Sequence, residues 1–390
     1  PPRSTLFPYT TLFRSWASPE GGAAGVWQAA ETFAPPDGLA LVAQNGPAIR
    51  RQEELAPVAA PRRIETSTPW GAYIYDLGQN MTGIARFRLH GPRGATVRIR
   101  YAEVLNPDGT LYTTNLRSAR ATDYYTLKGA PEGETWEPRF TFHGFRYVEL
   151  SGPIEPPDRD AVTGVALHSA FEPTGSFECS EPLLNQLQHN IVWGWKGNAV
   201  DVPTDCPQRD ERLGWTGDAQ VFCATSAYNT DALGFWEKWL RDLEDGQSAA
   251  GSIPAVAPDT DAITVPDGGP AWADAAVIVP WTLYTCYGDA RPLERSYGMM
   301  TRYVDYLRAS SPDLIRCNPL HTAWGGFGDW LALDGSGTNF GGTPKDLIGT
   351  ALFAYSAQLL ARIAAILGKD ADAARYGQLA DDVRQAFCNR

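Results

Sequence analysis

Histidine and paired cysteine are scarce in this 390-residue sequence, and the scarcity removes whole classes of function. Its five histidines are dispersed, and Cys179, Cys206, Cys223, Cys286, Cys317 and Cys388 form no CxxC pair and have no His at ligand spacing, so no zinc site is expected. The thiols read as reduced and mostly buried. Basic residues are also short, 33 against 45 acidic ones; the formal charge of −12 excludes a phosphate-backbone partner or an anionic membrane surface. There is no uncharged apolar run of the roughly 20 residues that a bilayer crossing needs. The first residue is not Met, and Pro1–Ser15 lack the continuous apolar core of a signal peptide. The near-repeat of Ser4–Phe7 and Thr10–Phe13 marks residues 1–15 as adaptor-like, non-native sequence. Residues 16–63, rich in Ala, Pro and Gly with few strand-like runs, read as the remnant of a preceding domain or a linker. With no leader visible, a cytoplasmic protein is expected.

What the sequence does have is aromatic side chains: 13 Trp, 16 Tyr and 15 Phe. Flat rings with a polar edge suit the C–H faces of sugars, although most tryptophans simply fill cores. Over residues 64–172 the pattern has period two. Ala85, Phe87 and Leu89 alternate with Arg86 and Arg88; Val97, Ile99 and Tyr101 alternate with Arg98 and Arg100. Gly91-Pro92-Arg93-Gly94 lies between these runs and predicts a hairpin. Asp123–Leu127, Phe145–Leu150 and Val162–Leu167 add short strands, and an antiparallel β-sandwich of jelly-roll type is expected.

From residue 173 onward the period becomes helical. Ser180 is the expected cap of a first helix that carries Leu184, Leu187, Ile191 and Trp195. Leu233, Trp236, Leu240 and Leu243 mark another helix, Leu352, Tyr355, Leu359, Ile363 and Ile366 a third, and Tyr376, Leu379, Val383 and Ala386 a fourth. Gly368-Lys369-Asp370 is expected to join the last two, with Gly368 ending one helix and Asp370 capping the next. Two long loops, Gln247–Pro270 and Pro312–Thr343, exceed the length of plain connectors and are expected to carry function.

The densest polar cluster is Asp201-Val-Pro-Thr-Asp205-Cys-Pro-Gln-Arg209-Asp210-Glu211-Arg212-Leu-Gly-Trp215-Thr-Gly-Asp218. Two readings are open. Asp205, Asp210 and Glu211 could pair with Arg209 and Arg212 and cap the next helix, which charge clusters at helix starts commonly do. Alternatively, a carboxyl group crowded by like charges beside a Trp is raised in pKa and stays protonated, as a general acid requires. Without further information the first is slightly favoured.

The run from Asp201 to Gln220 resembles the catalytic-loop signature of family 78 glycoside hydrolases, the inverting bacterial α-L-rhamnosidases. Tyr75–Gly83, Tyr101–Gly109 and Phe140–Tyr147 resemble the β-sandwich that precedes the catalytic domain there, and Ala271–Asp274 and Gly326–Trp330 resemble later active-site loops. The resemblance runs from about residue 70 to the end. It implies that Glu211 is the general acid, that Asp205, Arg209 and Asp218 hold the hydroxyls of a rhamnose, and that Trp215, Trp272 and Trp330 form an apolar wall. Asp329 and Asp274 are adjoining candidates that could instead brace loops. It implies no cofactor and no metal. The partner is a rhamnose-containing glycoside, with neither nucleic acid nor membrane involved.

Inversion needs a second carboxylate roughly 6.5 to 9.5 Å from the first. Asp205 and Asp210 lie too near along the chain, and the family's base belongs to a Thr-Thr-Ile-Trp-Glu-like segment that does not occur before Arg390. Residues 173–390 are thus expected to be the N-terminal part of an (α/α)6 toroid, with Leu359, Ile363, Val383 and Phe387 left exposed and hydrolysis absent. The alternatives are a toroid glycosidase for another terminal sugar and a non-catalytic sugar-binding module.

Overall fold

The computed structural model describes residues 29–333 and 337–390. The adaptor-like reading of residues 1–15 lies outside them. Residues up to Gln44 form a unit of their own, whose described part carries one turn, closed by the Leu39 amide on the Pro36 carbonyl.

Asn45–Arg390 form the second unit. It begins with eight strands, β1 (Ile49–Leu55), β2 (Arg62–Ile64), β3 (Ala72–Leu89), β4 (Thr96–Ala102), β5 (Thr122–Thr126), β6 (Glu134–Trp136), β7 (His143–Ser151) and β8 (Val162–Ser169), and a short pair, β9 (Ala199–Val200) and β10 (Val202–Pro203), comes after the first helix. The first eight hydrogen-bond antiparallel in one sheet of order β1-β8-β3-β7-β4-β5, with β2 and β6 also on β3. The antiparallel β domain expected from period two is therefore present, and it includes two strands, β1 and β2, that the Ala- and Pro-rich stretch before residue 64 does not betray.

The predicted hairpin between residues 85–89 and 97–101 does not form. Both runs are strands with Ala85, Phe87, Val97 and Ile99 buried, but β4 pairs with β5 and β7. Around Phe87, β3 already has β8 on one edge and β6 on the other, so no donors or acceptors are left for β4. Tyr75, Phe87, Ile99, Phe145 and Val148 close the core of this domain.

Seven α-helices follow among the described residues: α1 (Pro182–Asn198), α2 (Thr216–Asn229), α3 (Leu233–Asp245), α4 (Ala275–Tyr287), α5 (Arg291–Ser310), α6 (Lys345–Ile366) and α7 (Asp370–Asn389). Both long loops lie where expected, between α3 and α4 and between α5 and α6. The caps differ. Glu181, not Ser180, accepts the Leu183 amide at the start of α1, and Asp370 lies inside the first turn of α7, with Lys369 at the cap. Three tryptophans fill the helical core with their N–H groups satisfied: Trp195 bonds Thr230, Trp236 bonds Ser226 and Trp239 bonds the Ala257 carbonyl. The helix α6 is long and apolar enough to cross a membrane by length and composition, yet half of its apolar window is buried inside the protein.

The expected exposure of the last hairpin is overturned. Leu359, Ile363 and Val383 are 0–1% exposed, because α6 and α7 pack on each other and α6 also meets α4 and α5; only Phe387, at 37%, reaches solvent. Exposed apolar side chains lie on α1 and α2, at Leu183, Leu184, Leu187, Val221 and Tyr228, and on α6 at Leu347, Tyr355 and Ile366. Leu359→Ala should therefore destabilise the helical core by about 2–5 kcal/mol in urea unfolding, whereas Leu184→Ala should change it by under about 0.5 kcal/mol.

Candidate functional site

After β10 the chain enters residues 204–215, a loop tied into a ring by one residue. Asp205 donates its amide to the Leu213 carbonyl at 3.0 Å and accepts the Leu213 amide on Oδ1 at 3.0 Å. Its other oxygen accepts from Arg209 Nη2 at 2.9 Å. The same guanidinium reaches Glu211, Nε to Oε2 at 2.8 Å, so Arg209 bridges the two carboxylates. Glu211 Oε1 accepts the indole N–H of Trp215 at 3.0 Å. A further guanidinium, that of Arg117 from the β domain, reaches Glu211 Oε2 at 2.8 Å.

The end of the loop is fixed by a second segment. Trp215 forms an isolated antiparallel bridge with Val256, the Thr216 amide bonds the Ala255 carbonyl, and the Ala257 amide bonds the Gly214 carbonyl, so the entry into α2 is pinned to residues 255–257. At Gly217, in the first turn of that helix, a Cβ would come within 2.6 Å of the Trp272 ring, and the absence of one lets the indole lie against the helix. Trp272 in turn meets Phe327 at 4.7 Å between centroids. Phe327 is the hub of the aromatic wall, with Trp324 at 5.4 Å, Trp215 at 5.6 Å and Trp330 at 6.0 Å, all three edge-on.

The structure thus gathers Asp205, Arg209, Glu211 and Trp215 in one hydrogen-bonded group and joins Trp272 and Trp330 to Trp215 through Phe327. Asp218 stands in the first turn of α2, close enough to Asp205 for the two charges to interact. Asp205 and Asp218, but not Glu211, also line a cavity of about 260 Å³ walled by Trp195, Phe222 and Trp236. Asp329 is not bonded to the carboxylate group. It is exposed and braces its own loop, accepting from Thr343 and donating its amide to Phe340. Asp274, fully buried, ties the loop of Trp272 to the core by accepting from the Ala271 amide, Tyr303, Ser356 and Arg316.

Phe327, Trp324 and Arg117 were missed in sequence. Phe327 sits between Gly326 and Gly328, both in left-handed conformations, and that flanking was the available signal. Arg117 lies 94 residues from Glu211, and nothing local points from one to the other.

Of the two readings of the cluster, the structure shows the pairing of Asp205 and Glu211 with Arg209, and the raised carboxyl of the other reading is not found at Glu211. Burial pushes its carboxyl up, but Arg209, Arg117 and the Trp215 N–H together outweigh burial and hold it below the ordinary glutamate value. Burial raises Asp205, with Glu211 adding to the rise; it also raises Asp218, where Asp205 adds. The site therefore pushes neighbouring carboxyls apart, with the ionised form favoured at Glu211. Asp205, Cys206 and Glu211 bring donor atoms within 4.8 Å of one another, but a cation there would have to displace Arg209 from both carboxylates.

A family model described as the bacterial alpha-L-rhamnosidase 6 hairpin glycosidase domain matches residues 172–390, and one described as the bacterial alpha-L-rhamnosidase concanavalin-like domain matches 66–168. An alpha-L-rhamnosidase of Streptomyces avermitilis is 48% identical over 347 residues, which are 89% of this chain and 32% of that protein. One from Formosa agariphila is 47% identical over 82% of this chain and 34% of its own. The chain spans about a third of the length of these relatives. The crystal structure of the Streptomyces enzyme complexed with L-rhamnose superposes with a TM-score of 0.80 at 47% identity, over 89% of this chain and 32% of that one. The alpha-L-rhamnosidase from Dictyoglumus thermophilum superposes with 0.82 at 38% identity, over 91% and 38%.

Asp274 carries the position of the aromatic wall. Asp274→Ala leaves the Arg316 guanidinium buried without its carboxylate, and the loss of stability should be about 3–5 kcal/mol in denaturant unfolding. A loss below about 1 kcal/mol would mean that the loop of Trp272 is held by other contacts.

Proposed function

Because the chain belongs to the bacterial alpha-L-rhamnosidases, we propose that its helical residues supply the acid half of a site that removes terminal α-L-rhamnose from glycosides with inversion. The observation that carries this reading is Glu211. Its carboxyl group has one oxygen on two guanidinium groups and the other on Trp215, beside the wall centred on Phe327. The relative whose structure holds L-rhamnose points to the sugar. Asp205, Arg209 and Asp218 offer charged partners for sugar hydroxyls, and Trp215, Trp272 and Trp330 offer rings for its C–H face and methyl group.

In this reading Glu211 gives its proton to the glycosidic oxygen as the bond to the anomeric carbon breaks. Water attacks that carbon from the opposite face and loses a proton to a second carboxylate, so that rhamnose and a free alcohol leave. Asp205 is a poor second carboxylate, since Arg209 and the Leu213 amide occupy both its oxygens and it shares a loop with Glu211. Without a base, hydrolysis by this chain alone should fall short of a chain that has one by roughly 100-fold to 10,000-fold.

An ionised Glu211 is also what a purely sugar-binding site would show, and that observation favours the second reading, a non-catalytic module. Glu211→Gln separates the two in the longest chain that contains these residues. It should lower turnover by about 100-fold to 10,000-fold on rhamnosides with poor leaving groups and much less on activated aryl rhamnosides. The acid works protonated, so activity is lost as pH rises through its pKa. In the free protein the arginines depress that pKa; a bound sugar that excludes water raises it, so the limb seen in kcat should lie at higher pH than the limb seen in kcat/KM. Equal loss on both substrate types, or coincident limbs, would remove Glu211 from the acid role.

A further inference from the structure

Three consecutive residues around the acid are each bonded to the β domain. Asp210 accepts from Ser118, Glu211 accepts from Arg117 Nη1 at 2.8 Å, and Arg212 donates to the Phe142 carbonyl at 2.9 Å while its guanidinium lies 4.2 Å over the Phe142 ring. Pro207 packs so closely on β7 that a Cβ at Gly144 would come within 2.8 Å of it. We propose that Arg117 of the β domain is a positioning residue for the acid Glu211, so that the turn at residues 114–118 is a working part of the catalytic site and not a support beside it. This rests on the acid role of Glu211 proposed above.

The turn is built to deliver that side chain. Thr114–Leu116 form one 3-10 turn, with Leu116 buried as its anchor and Asn115 bonded to Glu103. Arg117 follows with φ 54° and ψ −117°, and its amide returns to the Thr114 carbonyl. A left-handed arginine is strained by roughly 1 kcal/mol or more, and Arg212, on the other side of the joint, is left-handed too, at φ 58°. Two acceptors in the same joint, Asn115 Oδ1 and Gln208 Oε1, are buried without a protein partner. A joint selected only for stability would avoid each of these features. Their concentration where two chain segments meet at one carboxylate is the pattern of a functional site.

Arg117 is far more exposed than its partner, 59% against 16% for Glu211, so it lies on the solvent side of the carboxylate. The charges that face Glu211 are Arg209 and Asp205 on its own loop, Asp218 on α2 and Arg117 from the β domain, with Trp215 as neutral donor. Of the two cations, only Arg117 lies outside the loop and can be removed without also taking the guanidinium from Asp205 Oδ2.

The test follows the Glu211 carboxyl by carbon-13 NMR in this chain, its signal identified by its loss in Glu211→Gln, and follows kcat/KM against pH in the longest chain that contains these residues. Removing a positive neighbour raises the carboxyl pKa. Arg117→Gln should therefore raise the titration midpoint by about one pH unit, roughly tenfold in proton affinity, and move the alkaline limb of kcat/KM up by the same amount. Arg117→Lys, a point charge in place of a fork, should give about half that shift and serves alone if Arg117→Gln does not fold. A midpoint and limb within about 0.2 unit of wild type in these variants, whatever happens to melting temperature, would overturn the proposal and leave Arg117 a structural residue. A midpoint that moves while the limb stays and Glu211→Gln remains active would instead overturn the acid assignment, and this inference with it.

Discussion

One guanidinium organises the site. Arg209 bonds Asp205 and Glu211 from a single side chain, and the geometry of the whole loop follows from that bridge. Asp205 is locked by its own ring with Leu213, so Arg209 is held by a fixed anchor; Glu211 is then drawn to Arg209 and kept facing Trp215. Without the bridge, two partly buried carboxylates would face each other, and burial together with repulsion would drive one of them to protonate. With it, one carboxyl is raised and the other depressed in adjacent positions. In the free protein the raised member is Asp205 and the ionised one Glu211, so a bound sugar has to raise Glu211 before it can act as the acid.

The bridge is supported from three directions. Residues 214–216 are bonded to 255–257, which sets where Trp215 emerges. Asp274 draws the loop of Trp272 onto Tyr303, Ser356 and Arg316, which come from α5, α6 and the loop between them. The β domain closes the third side through Ser118, Arg117 and Phe142. Within the aromatic wall, the loop of Trp272 is tied to packed helices by a buried, fully satisfied carboxylate, Asp274.

Much of this was legible in the chain, and what was not has a physical cause. Helical periodicity located α3, α6 and α7, which carry core-facing residues such as Trp236, Leu240 and Leu243, and also α1, whose stripe is buried at Trp195 but exposed at Leu184 and Leu187. Burial of both long strands was legible for the same reason at period two. Pairing was not: β4 leaves β3 because β6 and β8, distant in sequence, hold both its edges. The exposure assigned to Leu359 and Val383 failed because a stripe reveals that a helix is covered, not what covers it. At the site, residue types and spacing marked residues 201–218 as the densest polar cluster, and the family resemblance singled out Asp205, Arg209, Glu211 and Trp215 within it. Of the two cations that hold Glu211 ionised, Arg209 was legible on the same loop and Arg117, from the β domain, was not; Phe327 escaped notice because a phenylalanine between glycines announces no chemistry.

If the loop of Glu211 and the wall around Phe327 receive one sugar between them, a crystal structure of this chain with L-rhamnose bound will show it there, with the anomeric oxygen within hydrogen-bond reach of Glu211, hydroxyls on Asp205, Arg209 or Asp218, and the ring against Trp215, Trp272 or Trp330. Rhamnose seated away from Glu211, for example in the cavity walled by Trp195 and Phe222, would contradict this placement.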